Sequence, residues 1–323
     1  MSLLEVSDLH IDFATETGML HAVRGVDFSL REGEVLGIVG ESGSGKSVTA
    51  HSTLRLLPAN AHYAGGDVRY AGHSVFAMDN ESLRRLRGPE IGIIFQEPGQ
   101  SFDPIYSIGK AMTETIRAHR PDLSDAEVNE KAIRLLTETN VPYPEDRLGN
   151  YPHQFSGGLL QRIMIALALA SDPSVLIADE PTTSLDVTIQ AGIVDLLIRL
   201  KEERNLSILF ITHNLALISG IADRIVVMYG GLVMEEGPTA EVLTAPRHPY
   251  TRALLDSILT LGHHYRETPI APVSGTVPDP YRPEPGCPFA PRCPLAVPDC
   301  SSAVPPFQHD GHPHRCRFAG VKE

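Results

Sequence analysis

The chain has 323 residues, 42% of them hydrophobic, with 27 lysines and arginines against 40 aspartates and glutamates for a net charge of −13. That length accommodates one large α/β domain with an appendage, or two domains, and the apolar fraction is ample for a core. The acidic balance, without any dense basic block, argues against duplex nucleic acid as a partner, because phosphate neutralisation dominates such binding, and no apolar run approaches the ~20 residues needed to cross a bilayer.

The N-terminus, Met1-Ser2-Leu3-Leu4-Glu5, has neither a basic n-region nor an apolar h-region, so the chain is expected in the cytoplasm, with any membrane attachment made through a partner. Residues 3–13 alternate apolar and polar as a half-buried strand does, and a second strand is expected over 23–30 after the turn Thr15-Glu16-Thr17-Gly18. Phe13 falls where the first strand runs out and can stack on a purine ring; Tyr63 and Phe28 are the other aromatics placed for that, and burial in the core is the plainer reading of Phe13. The apolar run Val35-Leu36-Gly37-Ile38-Val39 reads as a buried strand and feeds Gly40-Glu41-Ser42-Gly43-Ser44-Gly45-Lys46-Ser47, which fits G-x-x-x-x-G-K-[ST]. Glycines let backbone N–H groups point inward at a triphosphate. The helix expected over 46–57 directs its positive end at the same phosphates, with Lys46 beside the β- and γ-phosphates and the Ser47 hydroxyl on Mg²⁺.

Pro58-Ala59-Asn60 breaks that helix, and a short strand is expected over 66–70. Residues 81–87 form a basic, solvated helix. The strand 91–95 ends at Gln96, whose neutral amide can ligate Mg²⁺ and an attacking water without adding charge; taken alone it is a surface glutamine. Residues 107–141 turn helical, and Phe155-Ser156-Gly157-Gly158 opens a long apolar helix through Leu169. A Ser-Gly-Gly at a helix start is an anion-binding geometry or, more simply, an N-cap serine with two turn glycines. Val175-Leu176-Ile177-Ala178 then leads into Asp179-Glu180, as a central strand does whose acids stand at the ligand-binding edge of a parallel sheet. Asp179 would enter the Mg²⁺ shell and Glu180 would polarise water. A polar turn, Thr182-Thr183-Ser184-Leu185-Asp186, precedes a helix over 187–202, and the buried strand 206–211 ends at Thr212-His213, where the imidazole can meet a γ-phosphate or hold a water. A hairpin around Gly230-Gly231 and a short helix within 247–255 close the compact part.

From about position 269 prolines become dense, which excludes a helical bundle and disfavours an ordinary core. Cys287, Cys293, Cys300 and Cys316 all fall in this tail. A poorly self-stabilised segment needs a staple, and four thiolates on a metal are one. The gaps lack the close pairs of zinc ribbons, so an iron–sulfur cluster, Zn²⁺ and plain thiols all stay open on spacing, with His309, His312 and His314 available for a mixed ligand set.

In their order, residues 40–47, Gln96, Ser156-Gly157-Gly158, Asp179-Glu180, Ser184-Leu185-Asp186 and His213 resemble the nucleotide-binding subunit of an ATP-binding-cassette transporter, over about residues 1–260. The stretches Glu41-Ser42-Gly43-Ser44-Gly45-Lys46-Ser47-Val48, His248-Pro249-Tyr250-Thr251 and Gly286-Cys287-Pro288-Phe289-Ala290-Pro291-Arg292-Cys293-Pro294 are similar to the oligopeptide/dipeptide (and nickel) importer branch, and within it to the D-type ATPase. The resemblance implies an α/β P-loop NTPase (RecA-like) core with an antiparallel β subdomain and a helical subdomain at about 97–165, plus a Pro-rich, Cys-containing C-terminal extension at 261–323. It implies ATP and Mg²⁺ as ligands. Phe13, Ser42, Gly43, Ser44, Gly45, Lys46, Ser47, Val48, Gln96, Ser156, Gly157, Gly158, Asp179 and Asp186 would contact them, with Ser47, Gln96 and Asp179 on the metal and Glu180 and His213 catalytic. It implies a [4Fe-4S] cluster on the four cysteines, with Zn²⁺ as the alternative. It also implies a heterodimer with an F-type ATPase, two transmembrane permeases and, indirectly, an extracytoplasmic solute-binding protein, at the cytoplasmic face of the membrane. An importer of nickel or another small solute, or a soluble non-transport ATPase, would use the same motifs. The chain departs from the family at Leu159-Leu160, where a Met and an Arg or Ser usually follow Ser-Gly-Gly, so contacts of that helix with the partner ATPase can differ.

Overall fold

The computed structural model describes residues 2–183, 185–257, 273, 275–308 and 312–318. They group into one unit made of Met1–Arg31, Val35–Phe76 and Thr212–Glu323, and a second made of Glu32–Glu34 and Ala77–Ile211. The boundary expected at 260/261 lies outside the described residues.

In the first unit, apolar alternation builds the long strand Ser2–Thr15, which pairs antiparallel with Gly18–Arg31 on one side and Ala61–Tyr70 on the other. Leu4, Val6, Leu9 and Ile11 point into the core, essentially inaccessible. The expected antiparallel β region is therefore present, with its third strand starting at Ala61 rather than 66 because Phe13 pairs with Ala61 in the extended ladder. A second group of strands runs Val35–Val39 parallel to Arg224–Tyr229, which turns through Gly230-Gly231 into Leu232–Pro238. All five residues of Val35–Val39 are buried, as a strand covered on both faces requires. The helix after the glycine loop is shorter than expected, Lys46–Ser52, and ends in turns in which Arg55 takes the left-handed conformation, φ 50.

The Pro-rich tail packs on this unit. The His21 N–H donates to the Pro280 carbonyl, and the Glu236 and Arg315 N–H groups donate to the Pro313 and Met234 carbonyls, so the tail uses main-chain bonds of the closing hairpin. Phe289 is buried against the contacting pair Tyr229 and Tyr250, with ring centroids 5.5 and 5.3 Å away. Proline density predicts a segment without a core of its own; the tail instead borrows the core of the sheet.

The second unit holds three parallel strands, Ile91–Ile94, Val175–Asp179 and Ser207–Thr212, in which Ile93 pairs with Ile177 and Ile177 with Leu209. Its helical stretch over 107–141 is two helices, Ile108–His119 and Asp125–Glu138, because Pro121 cannot continue the first and Ser124 starts the second. Ser124 and Glu127 form a full capping box. The helices Gly157–Ala168 and Val187–Arg204 complete the unit, the latter ended by left-handed Asn205 at φ 52. Lys131 and Arg204 bracket Asp172 at 2.6 and 3.0 Å, and Arg204 also bonds Glu138.

The Ser124→Ala variant removes one orphan-donor partner and is expected to cost about 1 kcal/mol, read as a lower urea midpoint with unchanged slope.

Candidate functional site

The glycine loop leaves the buried strand at Gly40 and enters its helix at Lys46. Gly40 has φ 155, and a Cβ there would lie 2.1 Å from the Met228 carbonyl oxygen; Gly45 has φ 97, and its Cβ would lie 2.6 Å from the Ala22 carbonyl oxygen. Both glycines are thus demanded by close main-chain approach as well as by conformation. Lys46 is buried, and its ammonium donates to the carbonyls of Gly40 and Glu41 at 2.9 Å each. Ser44 is buried and its N–H donates to the Glu41 carbonyl. The loop therefore curls around a single cation, with Ser42, Gly43, Ser47 and Val48 on the same turn and helix start. Such a curl with a cation inside recognises polyphosphate.

In the second unit, Asp179 ends its strand and Glu180 follows with φ 45, a left-handed conformation that costs a non-glycine residue of order 1–3 kcal/mol. The Glu180 N–H donates to the Ile211 carbonyl. Its carboxylate Oε2 accepts from Gln96 Nε2 at 3.1 Å and from Thr183 Oγ1 at 2.7 Å. Backbone strain and two side-chain donors together aim this carboxylate. Gln96 and Glu180, expected as a Mg²⁺ ligand and a water-polarising base, are thus in direct contact. Thr183 was legible only as a turn residue, because nothing in its spacing reveals the bond to Glu180. Asp186 caps the helix Val187–Arg204, accepting from Ile189 N–H, while Ser184 lies outside the described residues.

Ser156 precedes the helix Gly157–Ala168, and its side chain makes no capping bond, so that helix's first N–H groups lie beside exposed Ser156 and Gly157. At Gly158 a Cβ would meet Ile189 Cγ2 at 2.7 Å, which explains the second glycine by packing. Of the two leucines that follow, Leu160 is buried in the unit's core and Leu159 is half-buried. His213 is exposed beyond its strand. Phe13 is half-buried at the sheet end, Phe28 is a core residue, and Tyr63 is engaged with Phe76 at 4.7 Å between centroids.

Cys287, Cys293, Cys300 and Cys316 line one small pocket with His248, and all four are thiols rather than disulfides. Burial pushes the Cys287 thiol up to about 11 and raises that of Cys316 as well. Thiolates in such surroundings need a cation, and four of them suit zinc or an iron–sulfur cluster. Among the described residues, however, no group of three or more His, Cys, Asp or Glu side chains could hold a metal ion as placed. The expected mixed ligand set is not assembled either: His312 Nε2 stands 2.8 Å from Glu235, His314 bonds the His312 carbonyl, and His309 lies outside the described residues.

Residues 23–183 match the ABC transporter family, and residues 234–300 match the oligopeptide/dipeptide transporter C-terminal region. A peptide import ATP-binding protein of Brucella abortus is 46% identical over 303 residues, covering 94% of this chain and 90% of its own. A peptide ABC transporter ATP-binding protein of Sinorhizobium fredii is 43% identical over 317 residues, covering 97% and 94%. Among solved structures, the dimeric ATP-binding cassette MJ0796 bound to ADP and Pi superposes with a TM-score of 0.65 at 26% identity, over 73% of this chain and 98% of that one. The cbiO1 protein of Clostridium perfringens gives 0.63 at 27%, over 75% and 90%.

Gly40→Ala would drive a methyl group into the Met228 carbonyl and is expected to lose about 2–3 kcal/mol of stability; a denaturation midpoint equal to the parent's would contradict the crowded-loop geometry.

Proposed function

The chain belongs to the ABC transporter ATP-binding family and is an ATP hydrolase, and on that premise we propose that it energises the import of di- and oligopeptides. The observation that carries the peptide reading is the match of residues 234–300 to the oligopeptide/dipeptide transporter C-terminal region, supported by relatives that are themselves peptide import ATP-binding proteins. In this reading the chain works head to tail with a second ATPase of the F type and grips two transmembrane permeases from the cytoplasmic face of the membrane. An extracytoplasmic solute-binding protein delivers the peptide. No described helix is long and apolar enough to cross a membrane, so in this scheme the permeases provide the path.

The chemistry assigned to the chain's own residues follows from their types and surroundings. The loop N–H groups over 42–48 bind phosphate oxygens, and Lys46 exchanges loop carbonyls for the β- and γ-phosphates. Phe13 stacks on the adenine. Ser47, Gln96 and Asp179 hold Mg²⁺, which supplies neutralisation of charge on the phosphoryl oxygens. Glu180, aimed by Gln96 and Thr183, orients and polarises the attacking water, and His213 steadies it at the γ-phosphate. Ser156, Gly157 and Gly158 present helix N–H groups to the nucleotide held by the partner ATPase, so ATP completes the interface and its cleavage releases it. Asp186, through its cap on the following helix, holds the turn beside Glu180.

For the tail, the four thiols line one pocket without being drawn together as a ligand group, and on the chemistry of the donor set alone they are read as a [4Fe-4S] site on Cys287, Cys293, Cys300 and Cys316, with Zn²⁺ as the alternative. Its role here is to tie the Pro-rich segment together, and no step of the hydrolysis passes through it. Anaerobically purified protein is expected to contain iron and sulfide in stoichiometric amounts; zinc without sulfide would overturn the cluster.

Glu180→Gln is expected to retain ATP binding while lowering hydrolysis at least a hundredfold, and to abolish peptide uptake by the assembled transporter. Turnover at the parent's rate would remove Glu180 from the mechanism, and uptake of a different solute by the intact assembly would remove the peptide.

A further inference from the structure

Arg292 lies between Phe289 and Cys293 in a short turn, Ala290–Arg292, of the cysteine-bearing tail, yet its side chain leaves the tail. Its guanidinium makes a two-pronged bond to Glu41 of the phosphate loop, Nη1 to Oε2 at 2.7 Å and Nη2 to Oε1 at 3.1 Å. The remaining reach is used on the Tyr229 hydroxyl at 2.9 Å and the Val273 carbonyl at 2.8 Å. The Arg292 side chain is 5% exposed and that of Glu41 24%. The bond to Glu41 raises the Arg292 pKa above its ordinary value, so the cation is permanent. A fork of this kind is the strong, geometrically specific form of ion pair.

Glu41 is also held by its main chain. Its N–H donates to the Tyr250 hydroxyl at 2.9 Å, and its carbonyl accepts from Lys46. Tyr250 and Tyr229 both pack on Phe289, three residues before Arg292. The turn that aims Arg292 is fastened at both ends within the thiol pocket. The Cys287 N–H donates to the Cys300 carbonyl at 2.7 Å, and the Cys293 N–H to the Ala290 carbonyl. Gly286 lets this segment lie against the short helix Pro298–Ser302, since a Cβ there would lie 2.2 Å from the Cys300 oxygen.

A carboxylate on a triphosphate-binding loop is electrostatically out of place, because it repels the anion that the loop must take in. We propose that Arg292 is a positioning residue for nucleotide binding: it neutralises Glu41 and holds the loop in its inward-facing curl, making the cysteine-bearing tail a structural part of the ATP site. Two consequences are distinct. Loss of Arg292 frees a negative charge beside the phosphates, and it lets the loop's start move, which raises the ordering cost of binding. Both act on affinity for ATP and leave the later chemical step to Glu180. The inference rests on the phosphate-loop reading but not on the identity of any metal at the cysteines.

The test compares ATP affinity and the KM and kcat of hydrolysis in the full chain carrying Arg292→Ala, Arg292→Lys, Glu41→Gln and the double variant Glu41→Gln/Arg292→Ala. Arg292→Ala is expected to weaken ATP binding about tenfold, as loss of a charge-assisted hydrogen-bond pair does, with KM rising in step and kcat within about twofold. Arg292→Lys, which keeps the charge and loses the fork, falls between that variant and the parent. The double variant is expected to bind ATP better than Arg292→Ala alone, because the exposed carboxylate is gone. Parent-like affinity in Arg292→Ala, or a double variant no better than Arg292→Ala, would overturn the proposal, the second result pointing to plain loss of tail folding. Glu41→Gln removes the loop's negative charge but also one prong of the fork, so its ATP affinity is expected between the parent's and that of Arg292→Ala, and an affinity below that of Arg292→Ala would count equally against the proposal. Unchanged ATP affinity in Lys46→Ala would instead overturn the phosphate-loop reading on which the proposal stands.

Discussion

A lysine ammonium enclosed by a loop that has no room for a Cβ at Gly40 or Gly45 is the constraint on which the rest of the first unit depends. Lys46 is buried, and a buried cation is costly unless it is bonded; here two main-chain carbonyls of its own loop take it. Those carbonyls turn inward only because Gly40 passes against the Met228 carbonyl and Gly45 against that of Ala22. The strand Val35–Val39, wholly buried and paired to Arg224–Tyr229, fixes where the loop begins. Sequence, packing and recognition are linked at each of these residues: the apolar run makes the strand, the strand places the glycines, and the glycines leave space for an anion.

The second unit solves a different problem, that of holding in one orientation the carboxylate that the proposed mechanism turns on water. Ile177 and Ala178 are buried in a central parallel strand, so the residues after Asp179 must turn at the strand's end. Glu180 takes that turn in a left-handed conformation, and the strain is offset by its N–H bond to Ile211 and by the bonds from Gln96 and Thr183 to its side chain. The two donors on Oε2 limit the rotamers of the carboxylate, as holding a reactive group in one geometry requires.

The local parts of both units were legible in the sequence, because short-range rules govern them. Glycine spacing over 40–45 and the apolar run before Asp179 each require only neighbouring residues; the cap at Ser124 is equally local, but the helical periodicity over 107–141 masked it. Boundaries moved where a tertiary partner intervened, as when the third antiparallel strand began at Ala61 to meet Phe13. Long-range chemistry stayed hidden. Gln96 and Glu180 are 84 positions apart, and Arg292 and Glu41 are 251 apart. Pro-rich composition hid the tail's packing as well. It correctly predicts a segment that cannot build a core, but cannot reveal that Phe289 packs on two buried tyrosines, one from the hairpin and one from the helix Pro249–Asp256.

Taken together, the loop, the aimed carboxylate and the docked tail describe a subunit whose chemistry is cleavage of ATP and whose family context is peptide import. The most direct measurement of that account is peptide accumulation in proteoliposomes holding the complete transporter, with either ATP or a non-hydrolysable analogue enclosed. Accumulation against a gradient with ATP and none with the analogue is the predicted result; equal accumulation with both would contradict the account.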